Sequence, residues 1–273
     1  MGVSGRVVRL VLISSCALTI GAGAEAADLS PKTVAAFDRY VQVAERRIGQ
    51  EVRQPQSFLW ADTLGPRKAD VLARLQRGEV IVERMRADGS TDVPDGLLHH
   101  WVGTVFVAGR HVSDAVALMQ DYNRHSVIFQ PNVVQSRTIE RRGDTFKFFL
   151  RFYMKKVIGV TLNTEHEAQF TTAAPERVYS YIRSTRVAEV VDAGTPSEHE
   201  ERPGQGHGFM WRLNTYWRFL ERDGGTYIQC ESITLSRDMP FGLGWLIKPF
   251  VTEVPRESLM FTLGRVRAAL VAP

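Results

Sequence analysis

The segment from residue 207 to residue 237 reads HGFMWRLNTYWRFLERDGGTYIQCESITLSR, with a run of alternating side chains on each side of DGG. A strand advances about 3.3 Å per residue, so residues 209–222 would extend roughly 45 Å, well over twice the length of a usual strand. Aspartate and glycine tolerate the positive φ angles of a tight hairpin, so DGG is predicted to be its turn. Strands of this length must bend around another part of the protein.

More segments of the same kind precede this hairpin. A strand in LLHHWVGTVFV begins at residue 97, and a short helix and a loop follow it before an unbroken series of alternating segments. The separators between these segments are mostly short enough for hairpins, so the strands are predicted to form an antiparallel meander. The predicted strands of the series are residues 133–142, 145–155, 158–171, 176–191, 209–222 and 226–237.

The chain closes with an amphipathic helix. Apolar residues recur at spacings of four, three and four, as one helix face requires: Leu259, Leu263, Val266 and Leu270. Pro255 fits the first turn, although a longer helix from about residue 245, kinked at Pro255, is also compatible with the sequence. An apolar stripe must be covered, and a curved sheet that is concave toward the helix would cover it.

One strand, a short helical segment, six antiparallel strands and a C-terminal helix follow each other in the order of the helix-grip fold. Three segments carry this pattern: HHWVGTVFVAGRHVSDAVALMQDYNRH, WRLNTYWRFLERDGGTYIQCESITLSRDMP and GWLIKPFVTEVPRESLMFTLGRVRAAL. The region from about residue 97 to 269 therefore resembles the START-like, or SRPBCC, superfamily, which includes lipid-transfer START domains and polyketide cyclase/aromatases. We expect an α+β fold in which a curved antiparallel sheet of about seven strands surrounds the long C-terminal helix.

The resemblance implies a cavity between the sheet and the C-terminal helix that holds a lipid or another hydrophobic small molecule. On the predicted concave face most of the large apolar side chains would be core, and a subset would line the cavity. His166 continues the apolar face of its strand and is expected to face inward with Thr164, the alternative being a satisfied core or rim histidine. The candidate ligand-binding residues are Trp101, Phe148, Phe152, Leu162, His166, Trp211, Leu213, Trp217, Phe241, Trp245, Leu259 and Leu263.

Two of these candidates lie in the connection SRDMPFGLGWLIKPF between the last strand and the final helix. Its glycines permit movement and its apolar side chains, Phe241 and Trp245 among them, could cover a hydrophobic opening, so the segment suits a lid. A tight connection anchored by Trp245 is an equally acceptable interpretation.

The opposite face of the last hairpin carries charged and tyrosine side chains. Arg212 and Arg218 lie opposite Glu231, a pattern typical of cross-strand pairing on a solvent-facing convex side. The N-terminal region could instead cover part of that side, which would explain the presence of Tyr181 and Tyr216 there.

Residues 27–96 precede this domain and have helical features of their own. Ser30 and Pro31 suit the N-cap and first position of a helix, and apolar residues then recur every three or four positions. A second short helix is expected from Pro66, followed by a strand in EVIVERM and by turns in ADGSTDVPDG. We therefore predict an N-terminal helical extension with one strand at 27–96 and a START-like domain at 97–273.

The first 26 residues have the features of a secretory signal peptide. Two arginines precede an apolar run, and Ala24 and Ala26 match an A-x-A cleavage site. Cleavage would remove Cys16 and leave Cys230 alone, so the mature chain could form no internal disulfide. We expect a soluble periplasmic or secreted protein. A lipoprotein acylated at Cys16 is the alternative, although the apolar region before ISSC is short for one.

Several functional classes lack their motifs in this chain. There is no G-x-S-x-G elbow, P-loop or H-E-x-x-H sequence, and we predict no catalytic residue, no metal and no cofactor. A formal net charge of +4 is too small to indicate a nucleic-acid partner. We expect an exported protein that binds or carries a lipid or another hydrophobic small molecule. Transient contact with a membrane or an envelope protein is compatible with that role, and the alternatives are a polyketide cyclase/aromatase-like enzyme and an envelope interaction module.

Overall fold

A computed structural model describes residues 28–86, 93–155, 159–238 and 254–272 of the chain. The predicted signal peptide and the glycine-rich connection before the last helix lie outside these described residues. The helices are α1 (Pro31–Glu51), α2 (Lys68–Gln76), α3 (Val112–Gln120), α4 (His125–Ile128) and α5 (Val254–Val271). The strands are β1 (Ile81–Arg84), β2 (Gly96–Ala108), β3 (Val133–Arg142), β4 (Thr145–Lys155), β5 (Gly159–Ala174), β6 (Arg177–Val191), β7 (His199–Glu200), β8 (Arg212–Arg222) and β9 (Gly225–Arg237).

The strands of the described ranges form one antiparallel sheet of nine, in the order β1-β2-β9-β8-β6-β5-β4-β3, with β7 paired to β6. Strands that follow each other from β3 to β6 are neighbours, as the predicted meander requires. The sheet has two strands more than the seven predicted for the helix-grip domain. One is β1, the strand predicted in the N-terminal extension, which joins the sheet by pairing with β2. The other is the two-residue β7, which is too short to leave a pattern in the sequence.

The hairpin quoted at the outset has the predicted turn. Asp223 and Gly224 adopt φ angles of 59° and 76°, the left-handed values of a two-residue hairpin turn. Arg222 pairs with Gly225 beside the turn, and Arg212 pairs with Leu235 near the other end of the hairpin. The turn lies where the sequence predicted it, although Gly225 is already the first residue of β9, and the residue directly opposite Glu231 is Tyr216 rather than an arginine.

α5 packs against the concave face of the sheet. Its predicted apolar stripe is buried and belongs to one core with the inward-facing side chains of β2, β8 and β9, among them Val105, Phe219 and Ile228. β2 passes closest to this helix at Gly103, where an added Cβ would lie 2.6 Å from Leu263 Cδ1. A glycine is therefore what allows the strand and the helix to approach each other here.

α1 and α2 cover the part of the opposite, convex face that β2, β6, β8 and β9 form. Ser30 caps α1 by accepting a hydrogen bond from the Thr33 amide at 3.2 Å, and a proline occupies the first turn. The buried face of α1, which includes Phe37 and Ile48, joins a second core with Tyr216 of β8. This part of the sheet therefore lies between two helical layers. No helix of the described ranges has the length and apolar character needed to cross a bilayer.

The part of the convex face beneath α1 is therefore not exposed to solvent, whereas Lys147 of β4 and Glu167 of β5 remain exposed. Arg218 is 1% exposed and Glu231 is completely buried, so the interpretation of these residues as a solvated charge ladder is wrong. The alternative, coverage by the N-terminal region, is what the structure shows, because Arg47 and Glu51 of α1 pair with these two side chains. Tyr216 also donates a hydrogen bond to Glu45 Oε1 of α1 at 2.9 Å.

Candidate functional site

A cavity of about 380 Å³ lies between the concave face of the sheet and α5. Ligand pockets in proteins usually measure about 300–1,000 Å³, so this one can hold a small molecule. Strands β2 to β6, β8 and β9 supply one side of its wall, and α3, α4 and α5 supply the other. Because successive strand residues point to opposite faces, β4 and β8 contribute alternate residues to the wall, such as Phe148, Leu150 and Phe152.

The cavity runs from the middle of the strands to one end of the sheet. Its inner end lies at Phe148, His166 and Trp217, and its outer end lies at Phe209 and Arg237. Apolar and aromatic side chains make up most of the wall between these ends: Met119, Phe129, Val133, Leu150, Phe152, Met154, Ile182, Met210, Leu213, Leu259 and Phe261. A wall of this kind excludes water and stabilises an apolar ligand.

Three parallel rings form part of the inner end. The Tyr122 and Phe148 rings stack with centroids 3.7 Å apart and planes at 11°, and the Phe148 and His166 rings stack at 4.9 Å and 14°. The imidazole therefore lies against an aromatic face and is held in one orientation.

His166 is uncharged in this position. Its Nε2 lies 2.8 Å from Thr164 Oγ1, and the Thr164 hydroxyl donates its own hydrogen to the Leu150 carbonyl at 2.9 Å. Burial lowers the pKa of His166 to about 3, because the surrounding apolar groups cannot solvate an imidazolium. The prediction that His166 faces inward with Thr164 agrees with this geometry.

Two further histidines of the wall are also neutral. His125 Nε2 donates to the Met119 carbonyl at 3.2 Å, and burial lowers the pKa of His125 to about 4. His99 Nε2 lies 3.2 Å from Ser236 Oγ, and burial, together with the charge of Arg84, lowers the pKa of His99 to about 4. The polar groups inside the cavity are therefore uncharged at neutral pH.

The charged side chains of the described wall lie at its outer end, where Arg237 and Asp238 reach the surface. His207 is there as well, and its hydrogen bond to Glu189 raises the pKa of the imidazole. The Glu189 carboxylate accepts hydrogen bonds from the His207 and Phe209 amides at 2.8 Å and 3.0 Å. This carboxylate thereby fixes the segment that carries Phe209 onto the cavity.

The structure brings half of the predicted binding residues together on this wall: Phe148, Phe152, His166, Leu213, Trp217 and Leu259. Leu162 packs in a small apolar cluster beside the cavity, and Trp101 and Leu263 pack into the core next to α5. Trp211 lies in the core on the opposite side of the sheet, because it precedes β8 and does not follow the alternation that begins at Arg212. Phe241 and Trp245 fall outside the described residues.

Sequence reasoning missed the part of the wall that lies between α3 and β3. The sequence predicts a loop at 123–132, whereas residues 122–128 form two short helical turns from which Tyr122, His125 and the capping residue Phe129 line the cavity. Their spacing of three and four residues is that of one helix face, and it was the available sign of a helical segment.

A second polar cluster lies on the convex side, beneath α1. His100 Nε2 donates to Glu231 Oε1 at 2.6 Å, Tyr40 Oη lies 2.8 Å from His100 Nδ1, and Arg47 and Arg218 pair with the same carboxylate. Burial alone would raise the pKa of Glu231, but the hydrogen bond from His100 and the two guanidinium charges lower it to about 2. His100 thus points to the convex face, and its neighbour His99 points to the cavity. In the described ranges, no group of three or more His, Cys, Asp or Glu side chains is placed to bind a metal ion.

No protein-family model and no curated protein matches the sequence. Among solved structures, the chain is similar to a STAR-related lipid transfer protein from Xanthomonas axonopodis (fragment 25–204), with 16% identity, a TM-score of 0.50 and coverage of 71% of this chain and 94% of the other.

It also matches an aromatase/cyclase from Streptomyces sp. R1128, with 13% identity, a TM-score of 0.45 and coverage of 63% and 93%. A third match is the lipid transfer and protein localization domain of human StarD13, with 9% identity, a TM-score of 0.44 and coverage of 75% and 95%. The similarity to the Xanthomonas structure shows the fold, which is the START-like helix-grip fold that the sequence predicted.

Proposed function

We propose that this START-like helix-grip protein binds, and carries through an aqueous compartment, a lipid or another hydrophobic small molecule. The observation that supports this function is the apolar cavity of about 380 Å³ between the sheet and α5. The Xanthomonas structure of the same fold is described as a lipid transfer protein, which agrees with this use of the fold. Transfer of a CH₂ group from water into such a cavity contributes about 0.8 kcal/mol, so a medium-length chain suffices for useful affinity.

The compartment is proposed from the N-terminal sequence. Residues 1–26 have the basic start, apolar run and A-x-A site of a secretory signal peptide, so the carrier is proposed to act in the periplasm or outside the cell. N-terminal sequencing of the protein from its own host should begin at Ala27. A lipid-modified Cys16 would replace this proposal with membrane anchoring.

A polyketide cyclase-like enzyme is the second candidate, since several polar side chains converge on the cavity. General acid–base catalysis is most efficient when the pKa of the catalytic group lies near the working pH. Burial lowers the pKa of His166 to about 3 and that of His125 to about 4, so both imidazoles are weak bases. These values favour binding over catalysis. The third candidate, an interaction module, would have to use the outer surface of α1, because the sheet covers its apolar face.

Native mass spectrometry of the protein purified from its own host tests the proposal directly. We expect a retained mass in addition to that of the chain, which denaturing conditions release. A bare chain that also fails to bind a neutral fluorescent probe, N-phenyl-1-naphthylamine, would contradict a carrier function.

A pair of tryptophan variants locates the binding site. Leu213→Trp adds bulk inside the cavity, and Ile139→Trp adds it on the edge strand β3, where the side chain is 49% exposed. We expect Leu213→Trp to weaken probe binding by at least about tenfold, since overfilling removes the space for the ligand. Ile139→Trp should bind as the wild type does, and equal binding by both variants would place the probe elsewhere.

A further inference from the structure

We propose that the ligand is uncharged and carries a hydroxyl group, which donates a hydrogen bond to His166 Nδ1 at the inner end of the cavity. This inference rests on the proposed function and specifies the chemistry and the orientation of what is bound. The apolar part of the ligand then extends from the middle of the sheet toward the outer end at Phe209 and Arg237.

The hydrogen bonds around Thr164 determine which nitrogen of His166 carries the proton. A threonine hydroxyl has one hydrogen, and that of Thr164 is donated to the Leu150 carbonyl oxygen at 2.9 Å. Toward the imidazole, Thr164 Oγ1 can therefore only accept, and His166 Nε2, 2.8 Å away, must be the donor. In a neutral ring the other nitrogen, Nδ1, is then an acceptor with a free lone pair.

This acceptor has no partner among the residues that the structure describes, where the one hydrogen bond of the His166 side chain is that to Thr164. The residue is 3% exposed and lines the cavity. In this largely buried, apolar surrounding the lone pair is poorly solvated, so a donor delivered by the ligand would be stabilising. The Tyr122 hydroxyl, on the same ring stack, also lacks a partner within the described ranges.

The charges of the cavity argue against an ionic head group at this end. An anion would require a nearby cation, but the buried histidines of the described wall are neutral, and Arg237 and His207 lie at the outer end with Asp238. A ligand ammonium group would have no carboxylate at the inner end to offset its desolvation. An uncharged donor on an apolar body, such as a long-chain alcohol or a phenolic ring system, fits both the wall and the free lone pair.

Matched ligands test the hydroxyl directly. Dodecan-1-ol, its methyl ether and dodecanoate are each used to displace N-phenyl-1-naphthylamine from the full-length protein. We expect the alcohol to bind about three- to tenfold more tightly than the ether, the effect of one neutral hydrogen bond, and dodecanoate to bind least tightly. Equal affinities for alcohol and ether, or a preference for dodecanoate, would overturn the inference while leaving the carrier function intact.

Two variants assign the preference to a residue. His166→Phe retains an aromatic ring on the stack but removes the acceptor, so it should bind alcohol and ether equally, near the wild-type affinity for the ether. Phe152→Leu changes an apolar part of the same wall and should weaken both ligands alike, which preserves the preference. A preference that survives in His166→Phe would show that another group recognises the hydroxyl.

The protonation state of His166 can also be tested by spectroscopy on the wild-type protein. Nitrogen-15 NMR of the histidine side chains should show a neutral His166 protonated at Nε2. Adding dodecan-1-ol should shift the Nδ1 resonance, and adding the ether should not. Protonation at Nδ1 in the free protein would contradict the proposed acceptor, and failure of every ligand to bind would refute the carrier function together with this inference.

Discussion

Glu231 is a completely buried carboxylate whose charge is balanced from several sides. His100 Nε2 donates to it at 2.6 Å, and the guanidinium groups of Arg47 and Arg218 flank it. The sequence placed Arg218 and Glu231 on one face by strand alternation, and that placement is confirmed. It could not reveal their burial, because alternation is the same whether water or a helix covers the face.

Removing the charge of Glu231 should destabilise the fold. Glu231→Gln removes the buried carboxylate and leaves Glu51 alone to balance Arg47 and Arg218, so we expect the free energy of unfolding to fall by about 3 kcal/mol. Urea denaturation measures this change. Glu83→Gln is the matched control, because Glu83 pairs with Arg67 at an exposed position and should contribute less than about 1 kcal/mol. Equal effects of the two variants would mean that the buried cluster does not stabilise α1.

Stability should depend on pH through the buried histidines. Burial lowers the pKa values of His99, His125 and His166 to about 4, about 4 and about 3, below the 6.5 of an unfolded histidine. Between these values the unfolded chain binds protons that the folded chain does not. The stability present above pH 6.5 is therefore lost as the pH falls toward 3, by up to about 1.4 kcal/mol per pH unit for each group. His111 and His207 act in the opposite direction, since carboxylates raise their pKa values.

Urea denaturation at several values between pH 7 and pH 5 checks this expectation. His166→Phe removes one of the three groups, so its free energy of unfolding should fall less steeply with decreasing pH than that of the wild type. Identical slopes would show that His166 is not buried in its neutral form.

At the scale of elements, β2 and α5 show what a periodic pattern can and cannot predict. Spacings of four, three and four identified the buried stripe of α5, and alternation identified the long strands. Alternation failed at Trp211, where the chain bends before β8 begins. The spacing of Tyr122, His125 and Phe129 is that of a helix face, but it extends over only two short turns. Periodic patterns identify regular helices and strands, so they could not predict the irregular parts of the cavity wall.

The contact between β2 and α5 gives a prediction about glycine. Gly103→Ala would place a Cβ 2.6 Å from Leu263 Cδ1 and 3.1 Å from Leu259 Cγ, so these side chains or the helix must shift, and we expect a loss of about 1–3 kcal/mol. Gly264→Ala, in α5 itself, meets nothing within 4 Å and should stabilise the helix by about 0.5–1 kcal/mol. Thermal unfolding of the two variants should shift the midpoint in opposite directions. An unchanged unfolding midpoint for Gly103→Ala would show that the strand and the helix leave room for an added methyl group.

For the whole molecule, the N-terminal region is the part that sequence reasoning described least well. The sequence predicted its helices and its strand, but their position on the convex face depends on contacts far apart in the chain. Phe58 accepts a hydrogen bond from Arg218 through its carbonyl oxygen at 2.8 Å, and the Trp60 amide donates to Gln229 Oε1 at 2.6 Å. These bonds join the extension to β8 and β9, so the two helical layers and the sheet should behave as one cooperative unit.

A substitution in α1 should therefore also destabilise the strands that pack against this helix, including β9. Ile48 is 1% exposed, and Ile48→Ala should lower the free energy of unfolding by about 3 kcal/mol through lost burial and the cavity left behind. Val127→Ala, at a side chain that is 60% exposed, should change it by less than about 0.5 kcal/mol. Native-state hydrogen exchange distinguishes the two ways in which α1 could be attached. If the protein unfolds as one unit, the best-protected amides of β9 lose the same free energy of protection as those of α1. If exchange accelerates in α1 while β9 keeps its wild-type protection, the extension unfolds separately, and the buried cluster around Glu231 does not couple it to the sheet.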